Sequence, residues 1–421
     1  MTAAGRSELQ GKHMILRIWC AVVCAFTVAI AAGEPSLPKT GRLLTQGAEP
    51  VRIVCFGDSI TGVYYHTGGR RAWCDMLGIA LQRLYPNASL QMINAGVSGN
   101  TTAAGLARIE RDVLAHKPHL VVVMFGMNDM AFDAKDMAGQ QIAEREARFA
   151  ANLREIIRRC RDVGAEVVLC TQNSIYPDAV PRRPPERLAR YAEVIRAVAA
   201  DTRVPLADCY RAYESLRAAD PRGWMLLMSE TIHPNMNGHK LFAEEIARVI
   251  SGKRVSLRDV MPLQPCIPRT LALLREGKPV NVIAMEPYHT MVPQVLKKLS
   301  PNCEVRATCW PTAGKTLAQL ESWGKGVRAM KPDLVVIAVP AKVSASAKDE
   351  ALIRSYSWIV NYSMAFGRPE WDVVAILPPG QDIARDIILG HDVACIEHQL
   401  GDDALAEDLL LRWFRAQRSE H

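Results

Sequence analysis

The stretch Val51-Arg52-Ile53-Val54-Cys55-Phe56-Gly57-Asp58-Ser59-Ile60-Thr61-Gly62 predicts the start of a parallel α/β fold. Its first half is an apolar run with β-branched residues, which is typical of a buried strand. The strand is expected to end at Gly57, where the chain can turn sharply, and the segment after Ser59 could begin a helix with unpaired N–H groups. A serine at this point lies at the carboxyl edge of the sheet, where open α/β sheets bind ligands. We interpret Ser59 as a candidate nucleophile; the alternative is a helix N-cap, a common role of serine after a strand.

Alternating strand and helix patterns continue to residue 208 and predict a doubly wound parallel sheet. The second strand leads into a glycine-rich turn, where the backbone N–H of Gly99 can approach a ligand closely. The third strand ends shortly before Asn128, whose amide can donate to an oxygen in the same crevice. Each feature also has an ordinary interpretation, since Gly99 suits a plain turn and Asn128 suits the cap of the next segment.

A histidine before the last helix of this half is the candidate general base. His233 precedes a proline, which favours an extended loop, and Glu230 lies three residues upstream, within reach of the imidazole. His66 is close to the serine in sequence and remains a second candidate for the base. His239 is expected in the first turn of the following helix, and Tyr64 and Tyr65 are candidates for lining a substrate cleft.

Together these residues form a set suited to acyl transfer. Ser59 would attack a carbonyl carbon, and His233 would remove the serine proton and later return it to the leaving group. Glu230 would fix the imidazole tautomer and stabilise the imidazolium. The N–H groups of Ser59 and Gly99, with the amide of Asn128, would bind the oxyanion.

Four blocks in this order resemble the SGNH (GDSL-type) hydrolases: Gly57-Asp58-Ser59-Ile60, Ser98-Gly99-Asn100-Thr101, Gly126-Met127-Asn128-Asp129 and His233-Pro234-Asn235. The resemblance covers residues 51 to about 250. It implies a flavodoxin-like three-layer α/β/α fold, esterase chemistry without a cofactor, and catalytic roles for Ser59, Gly99, Asn128 and His233. The family usually has Asp three residues before the histidine, where this chain has Glu230, one methylene longer. If Glu230 pointed away, a Ser–His dyad would remain.

The composition and charge of the chain exclude some classes of function. The chain has 421 residues, 49% of them hydrophobic, and a net charge of +7 without a long Lys/Arg run, so nucleic acid is not an expected partner.

Basic residues before an apolar run at 18–32 predict a signal peptide over residues 1–33, with Met1 or Met14 as the start and secretion or periplasmic location as the consequence. The alternative is an uncleaved anchor, although the run is short for a membrane span and no stable membrane partner is expected. No metal-ligand spacing stands out. Of the eleven cysteines, Cys303 and Cys309 could pair across a short strand, but the sequence does not decide the disulfide pairing.

The second half of the sequence contains an internal repeat of the pattern in the first half. Apolar runs at 280–285, 330–338 and 371–377 parallel the earlier strands, but Glu286-Pro287-Tyr288 stands where the serine motif would be. We therefore predict a lead-in at 34–50, a catalytic domain at 51–251, a linker at 252–268 and a smaller, degenerate SGNH-like α/β domain at 269–421.

The predicted function is a secreted serine esterase that hydrolyses O-acyl esters, with an acetyl group on carbohydrate favoured and another small ester as an alternative substrate. A lipase, lysophospholipase or thioesterase of the same fold is the alternative enzyme. The alternative class is a carbohydrate-binding protein that keeps the fold without catalysis.

Overall fold

The strand that precedes Ser59 lies inside a parallel sheet of five strands in the computed structural model, which describes residues 37–132, 139–178, 182–398 and 403–419. The strands are β1 (Val51–Gly57), β2 (Leu90–Gly96), β3 (Leu120–Met124), β4 (Glu166–Cys170) and β5 (Leu206–Ala207). Their order is β2-β1-β3-β4-β5, with every described pairing parallel. The predicted doubly wound sheet is confirmed.

Eight helices accompany this sheet in the described residues: α1 (Pro38–Gln46), α2 (Trp73–Leu84), α3 (Thr102–Asp112), α4 (Gly139–Asp162), α5 (Pro185–Thr202), α6 (Cys209–Ala219), α7 (Pro221–Met225) and α8 (Met236–Ser251). β2 and β3 lie on opposite sides of β1, so the connections from β1 to β2 and from β2 to β3 run across the sheet in opposite directions. Right-handed crossovers therefore place α2 and α3 on opposite faces of the sheet. α2 packs against α8, while α3, α4 and α5 pack in succession, which gives three layers.

The sequence analysis did not predict α1. It lies in the polar lead-in, where Pro38 occupies the first helical turn and Gly47 ends the helix in the left-handed conformation. Thr40 and Leu44 are buried, and the backbone N–H of Thr40 donates to the Glu166 carboxylate at 2.7 Å. This short segment is thus fixed by tertiary contacts at the amino end of β4. The predicted signal peptide lies outside the described residues.

A second parallel sheet consists of β6 (Val280–Met285), β7 (Val305–Trp310), β8 (Leu334–Ile337), β9 (Asp372–Leu377) and β10 (Ala394–Glu397). Its helices are α9 (Pro268–Glu276), α10 (Tyr288–Leu299), α11 (Leu317–Gly324), α12 (Val327–Met330), α13 (Ala341–Ala345), α14 (Asp349–Ser363), α15 (Asp382–Gly390) and α16 (Asp403–Ser419). The order β10-β9-β8-β6-β7, read from its other edge and numbered within this half, is again 2-1-3-4-5. The two halves thus share one strand topology.

Each sheet has its own buried apolar core, yet both belong to one compact unit from Leu37 onward. The predicted linker runs from α8 to α9 without helix or strand, and all of its residues are described. The halves contact each other through α8 with α15 and α7 with α14. The domain boundaries themselves stay predictions.

A buried ion pair joins the halves. The Arg71 guanidinium binds both carboxylate oxygens of Asp392, at 2.8 and 2.6 Å, and the side chains are only 6% and 2% exposed. Arg71 also donates to the Met261 carbonyl of the linker at 2.5 Å. A buried pair of this kind is costly to break on one side only, because the remaining charge is left without a partner.

We expect Asp392→Asn to lower the free energy of unfolding by about 3 kcal/mol, measured by urea denaturation. Asn tolerates the left-handed backbone at this position, where φ is 58°, so the loss reports the charge rather than backbone strain. The control is Asp201→Asn, which weakens the exposed Arg154–Asp201 pair and should have a much smaller effect. Equal effects of the two substitutions would contradict a stabilising role for the buried pair.

Candidate active site

The carboxyl ends of three strands lie level at one edge of the first sheet. Gly57, the last residue of β1, pairs with Gly96 of β2 and with Met124 of β3. The three loops that carry the predicted site residues therefore start side by side. This edge includes the point between β1 and β3 where the strand order reverses, the usual ligand crevice of a doubly wound sheet.

Gly57 permits the sharp turn at the end of β1. A Cβ at this position would lie 2.1 Å from the Thr61 hydroxyl and 2.5 Å from the Met124 carbonyl, so no side chain fits. The turn then closes by hydrogen bonds to Asp58: its carboxylate accepts the Ile60 N–H at 2.9 Å, and its carbonyl accepts the Gly62 N–H at 3.0 Å.

The expectation of a helix directly after Ser59 is wrong. The chain makes the closed turn at Asp58 instead, passes through a 3-10 turn at Tyr65–Thr67, and begins α2 only at Trp73. The turn packs tightly against the end of β2, where a Cβ on Gly96 would lie 2.2 Å from the Gly62 nitrogen. The free N–H groups at this site therefore come from tight turns and not from the end of a following helix.

Ser59, His233 and Glu230 lie in one hydrogen-bonded chain. Ser59 Oγ is 2.9 Å from His233 Nε2, and His233 Nδ1 contacts Glu230 Oε1. Burial by itself raises the pKa of Glu230, but the nearby His233 and the N–H groups of its own loop outweigh burial, so the pKa lies below its ordinary value. An ionised Glu230 accepts from Nδ1–H, which leaves Nε2 as the acceptor for the serine hydroxyl.

The loop that carries the acid and the base is folded around the carboxylate. Glu230 Oε1 also accepts the His233 N–H at 2.8 Å, while Oε2 accepts the Thr231 hydroxyl at 3.1 Å and the Ile232 N–H at 3.2 Å. Asn173, fully buried, donates to the Ile232 carbonyl at 2.8 Å. The extra methylene of Glu230 is therefore accommodated by a loop that turns back over it, and Glu230 does not point away from the imidazole.

Two backbone N–H groups at the crevice have no hydrogen-bond partner among the residues that the structure describes. Within the described residues, those of Ser59 and Gly99 make no intramolecular hydrogen bond. Gly99 has a φ of +75° and nothing within 4 Å of where a Cβ would be, so the space beside its Cα is open.

The amide of Asn128 has a defined orientation. Arg183 donates to Asn128 Oδ1 at 2.9 Å, and because a guanidinium only donates, the amide NH₂ must lie on the other side. That NH₂ group donates to the Asn100 carbonyl at 3.1 Å and lies 3.5 Å from Asp58 Oδ2, beside the nucleophile turn.

Sequence reasoning missed Arg108, which holds these loops together. Its guanidinium donates to the Gly57 carbonyl and the Ala95 carbonyl, both at 2.9 Å, and to Asn100 Oδ1 at 2.7 Å. It thus joins the end of β1, the end of β2 and the Gly99 loop. The signal was an arginine next to Ile109 on the buried face of α3.

Asp129 and Arg183 were also missed as supports. The Asp129 carboxylate accepts the N–H of Thr102 at 2.9 Å and its hydroxyl at 2.5 Å, which fixes the loop after β3 to the start of α3. Arg183 lies beyond β4 in the proline-rich loop and reaches both Asn128 and the Met127 carbonyl. Neither side chain belongs to a periodic pattern, so no local signal indicated its contacts.

Two other histidines, His66 and His239, lie close to His233. The His66 ring stacks on His233 with centroids 4.8 Å apart and planes 8° apart, and neither His66 nitrogen has a partner among the described residues. Burial, followed by the proximity of His233 and His239, holds the pKa of His66 well below its ordinary value. Burial lowers the pKa of His239 to about 3, and its Nδ1 accepts the Trp73 N–H at 2.9 Å. As predicted, His239 lies in the first turn of α8.

The two predicted cleft tyrosines differ in exposure to the crevice. Tyr64 lines an open groove, and its hydroxyl accepts the Ser98 N–H at 3.0 Å. Tyr65 packs instead under the guanidinium of Arg328, 5.0 Å from its ring centroid.

The described residues contain no group of three His, Cys, Asp or Glu side chains arranged to hold a metal. None of their helices is long and apolar enough to cross a membrane. Cys303 and Cys309 are both free thiols, so they do not pair.

Asp58 gives the site a measurable pH signature. Burial raises its pKa from 3.8 to about 7, against the lowering effects of the Ile60 N–H and His233. Between these values the folded protein keeps a proton that the unfolded chain releases, so this group's contribution to stability falls as pH rises from about 4 to 7. We expect the stability of the wild type relative to Asp58→Asn to decrease across this range in urea denaturation. A stability difference between the two proteins that does not change with pH would contradict the assignment.

Known proteins share these sequence blocks. Residues 55–241 match the GDSL-like lipase/acylhydrolase family. The esterase TesA of Pseudomonas aeruginosa is 30% identical over 165 residues, which cover 39% of this chain and 73% of that protein. The chain belongs to the GDSL-like lipase/acylhydrolase family. This GDSL-like protein is therefore a hydrolase of ester bonds, as predicted.

Two further proteins are similar to this GDSL-like hydrolase. An acetylxylan esterase of Geobacillus stearothermophilus is 29% identical over 182 residues, covering 42% of this chain and 80% of that protein. A solved lipase/acylhydrolase of Enterococcus faecalis aligns with 49% of this chain and 99% of its own, at 29% identity and a TM-score of 0.40.

Proposed function

We propose that this GDSL-like hydrolase is a secreted serine esterase that removes small acyl groups, acetyl above all, from O-acylated carbohydrate. The observation that carries the proposal is the hydrogen-bonded chain from Ser59 through His233 to Glu230 beside two unpaired N–H groups. This arrangement supplies a nucleophile, a base and an oxyanion site at the carboxyl edge of the first sheet.

The reaction has two halves. In the first, His233 Nε2 takes the Ser59 proton as Oγ attacks the ester carbonyl carbon, and the imidazolium then protonates the departing sugar hydroxyl. In the second, His233 activates a water that attacks the acyl-serine, and the proton returns to Ser59 as the carboxylic acid leaves. Glu230 holds the Nδ1–H tautomer throughout and stabilises the imidazolium.

The oxyanion would be bound by the N–H groups of Ser59 and Gly99 and by the amide NH₂ of Asn128. Arg183 acts on this site through Asn128, because its guanidinium keeps the amide oxygen turned away from the crevice. A donor of this kind contributes about 3 kcal/mol to transition-state stabilisation in serine hydrolases.

The proposal of a carbohydrate ester is supported by the relative described as an acetylxylan esterase. Secretion is supported by the basic and then apolar pattern of the first 33 residues. We expect the mature protein to begin after this segment, which N-terminal sequencing of the exported protein would test.

The second half is proposed to be a degenerate copy without catalysis. Its strand topology matches the first half, but Glu286 follows β6 where Asp58 follows β1. The Glu286 carboxylate accepts the N–H groups of Thr312 and Ala313 at 2.7 and 2.9 Å. Two N–H groups of the turn that parallels the Gly99 loop are thus already occupied.

A serine-directed fluorophosphonate probe tests the catalytic proposal. We expect stoichiometric labelling of the wild type, no labelling of Ser59→Ala, and unchanged labelling of the control Ser346→Ala, an exposed serine of the second half. Acetate release from acetylated xylo-oligosaccharides, absent in Ser59→Ala, would support the substrate class. A folded wild type that reacts with neither probe nor ester would instead favour a binding protein.

A further inference from the structure

The second half reaches the mouth of the active site through one short segment. Residues 364–369, here called the aromatic arm, connect α14 to β9 and carry Phe366. Phe366 is 60% exposed and is one of five large apolar side chains exposed within the described residues. Its ring centroid lies 6.2 Å from that of Tyr64 and 5.6 Å from that of Tyr65.

The arm is held in place although its ring is in solvent. The Phe366 carbonyl accepts the Tyr65 N–H at 3.2 Å, across the boundary between the halves. Arg328 donates to the carbonyls of Met364 and Asn361 at 2.8 and 2.7 Å, and its guanidinium lies over the Tyr65 and Phe366 rings. A fixed, exposed aromatic face beside a catalytic crevice is a preorganised contact surface, since little side-chain freedom remains to be lost on binding.

A groove of about 830 Å³ runs along the arm. The first half contributes Val63, Tyr64, Asn94 and Gly96 to its walls, and the arm contributes Gly367 and Arg368. The groove adjoins the oxyanion loop, because the Tyr64 hydroxyl holds the N–H of Ser98, which precedes Gly99.

The lining combines the aromatic ring of Tyr64 with the polar side chains of Asn94 and Arg368. The exposed Phe366 ring is not part of the lining but lies beside it, 6.2 Å from the Tyr64 ring. A sugar ring has the matching surface: one face of C–H groups that packs on an aromatic ring, and a rim of hydroxyls that binds amides and guanidinium groups. An acyl chain needs continuous apolar walls, which Asn94 and Arg368 interrupt. We propose that the aromatic arm and Tyr64 bind the sugar portion of an acylated saccharide whose ester lies at Ser59. This inference rests on the proposed function.

Parallel kinetics with two esters test the arm. Phe366→Ala should lower kcat/KM for acetylated xylo-oligosaccharides about 10-fold, mainly through KM, because a buried aromatic contact contributes of the order of 1 kcal/mol or more. Turnover of 4-nitrophenyl acetate, which has no sugar, should stay within about twofold. Phe366→Trp should retain the wild-type value, since it keeps a flat face. Val163→Ala is the matched control, an exposed apolar side chain just before β4 at the opposite edge of the sheet.

The outcomes separate this inference from the function on which it rests. Deacetylation of the oligosaccharides by the wild type with no loss in Phe366→Ala, or equal losses on both esters, would overturn the arm's role and leave the esterase intact. Ser59-dependent cleavage of the aryl ester with no activity on any acetylated saccharide would refute the carbohydrate substrate itself, and the arm's role with it.

A separate observation concerns the loop of the acid and the base. Asn361 of α14 is fully buried and makes two reciprocal hydrogen bonds with Ser229, the residue before Glu230. The Ser229 hydroxyl donates to Asn361 Oδ1, and Asn361 Nδ2 donates to the Ser229 carbonyl, both at 2.9 Å. On the other side of the same loop, a Cβ on Gly390 would lie 2.8 Å from Asn235 Nδ2, so α15 packs directly on the His-Pro-Asn segment.

We infer that Asn361 is a positioning residue, which holds the loop of Glu230 and His233 in place relative to Ser59. Asn361→Ala removes both hydrogen bonds and should lower kcat about 10-fold with KM for the aryl ester unchanged. Ser229→Ala removes only the hydroxyl bond and should lose less, and the double variant should lose little more than Asn361→Ala, because no further contact is removed. Ser229→Thr, which keeps the hydroxyl, should restore kcat.

A purely structural role predicts a different pattern. It would lower the urea midpoint while leaving kcat unchanged under folding conditions, and that result would overturn the inference, as would additive losses in the double variant. Arg222→Ala is the control, since it removes another contact between the halves, with Asp349, that does not touch the loop.

Discussion

Replacing His233 by alanine is expected to lower kcat for an activated aryl acetate by about 10⁴- to 10⁶-fold, with the fold unchanged. The loss is large because the Ser59 hydroxyl then has no acceptor at 2.9 Å and stays protonated at the moment of attack. His66 cannot take over, since it is buried, its pKa is held well below the ordinary value, and the Ser59 hydroxyl makes its hydrogen bond to His233 and not to His66.

The measurement is initial-rate hydrolysis of 4-nitrophenyl acetate near neutral pH, together with circular dichroism and urea denaturation. His116→Ala is the matched control, because His116 is exposed before β3 at the far edge of the sheet. Turnover above about one tenth of the wild-type rate in folded His233→Ala would overturn the base assignment. His66→Ala would then be the variant to examine, as the alternative base left open by the sequence.

Glu230→Gln is expected to lower kcat by about 10³- to 10⁴-fold, less than the loss of His233. Both carboxylate oxygens accept N–H groups, Oε1 from His233 and Oε2 from Ile232. An amide must therefore set an NH₂ against a donor whichever way it turns. The substitution both removes the charge that stabilises the imidazolium and disturbs the loop that positions the ring.

Glu230→Asp separates these two effects. It keeps the charge but shortens the reach, and the loop is folded around the longer side chain, so we expect an activity between those of the wild type and Glu230→Gln. The exposed Glu304→Gln serves as the control for the amide change. If Glu230→Gln lost as much activity as His233→Ala, the carboxylate would be indispensable; if it kept wild-type kcat, the acid assignment would be wrong.

The sequence by itself determined the alternation of strands and helices, the strand end at Gly57 and the order of the four blocks. These features are local: an apolar strand of five to seven residues, a glycine that admits a turn and a histidine before proline are each visible within a short window. Because parallel strands end at a common edge, placing Ser59, Gly99 and Asn128 at strand ends was enough to predict that they meet.

Only the tertiary structure decided how the chain continues after Ser59 and which side chains support the site. A closed turn replaced the expected helix: the Asp58 carboxylate takes the Ile60 N–H, a local contact of a kind that Asp favours, and the end of β2 packs directly against the turn at Gly62. Arg108 joins two strand ends and the Gly99 loop, and Asn361 reaches Ser229 from 132 residues away. Such partners leave no periodic trace in the sequence, because the free energy that selects them arises between side chains brought together by the fold and not between neighbours along the chain.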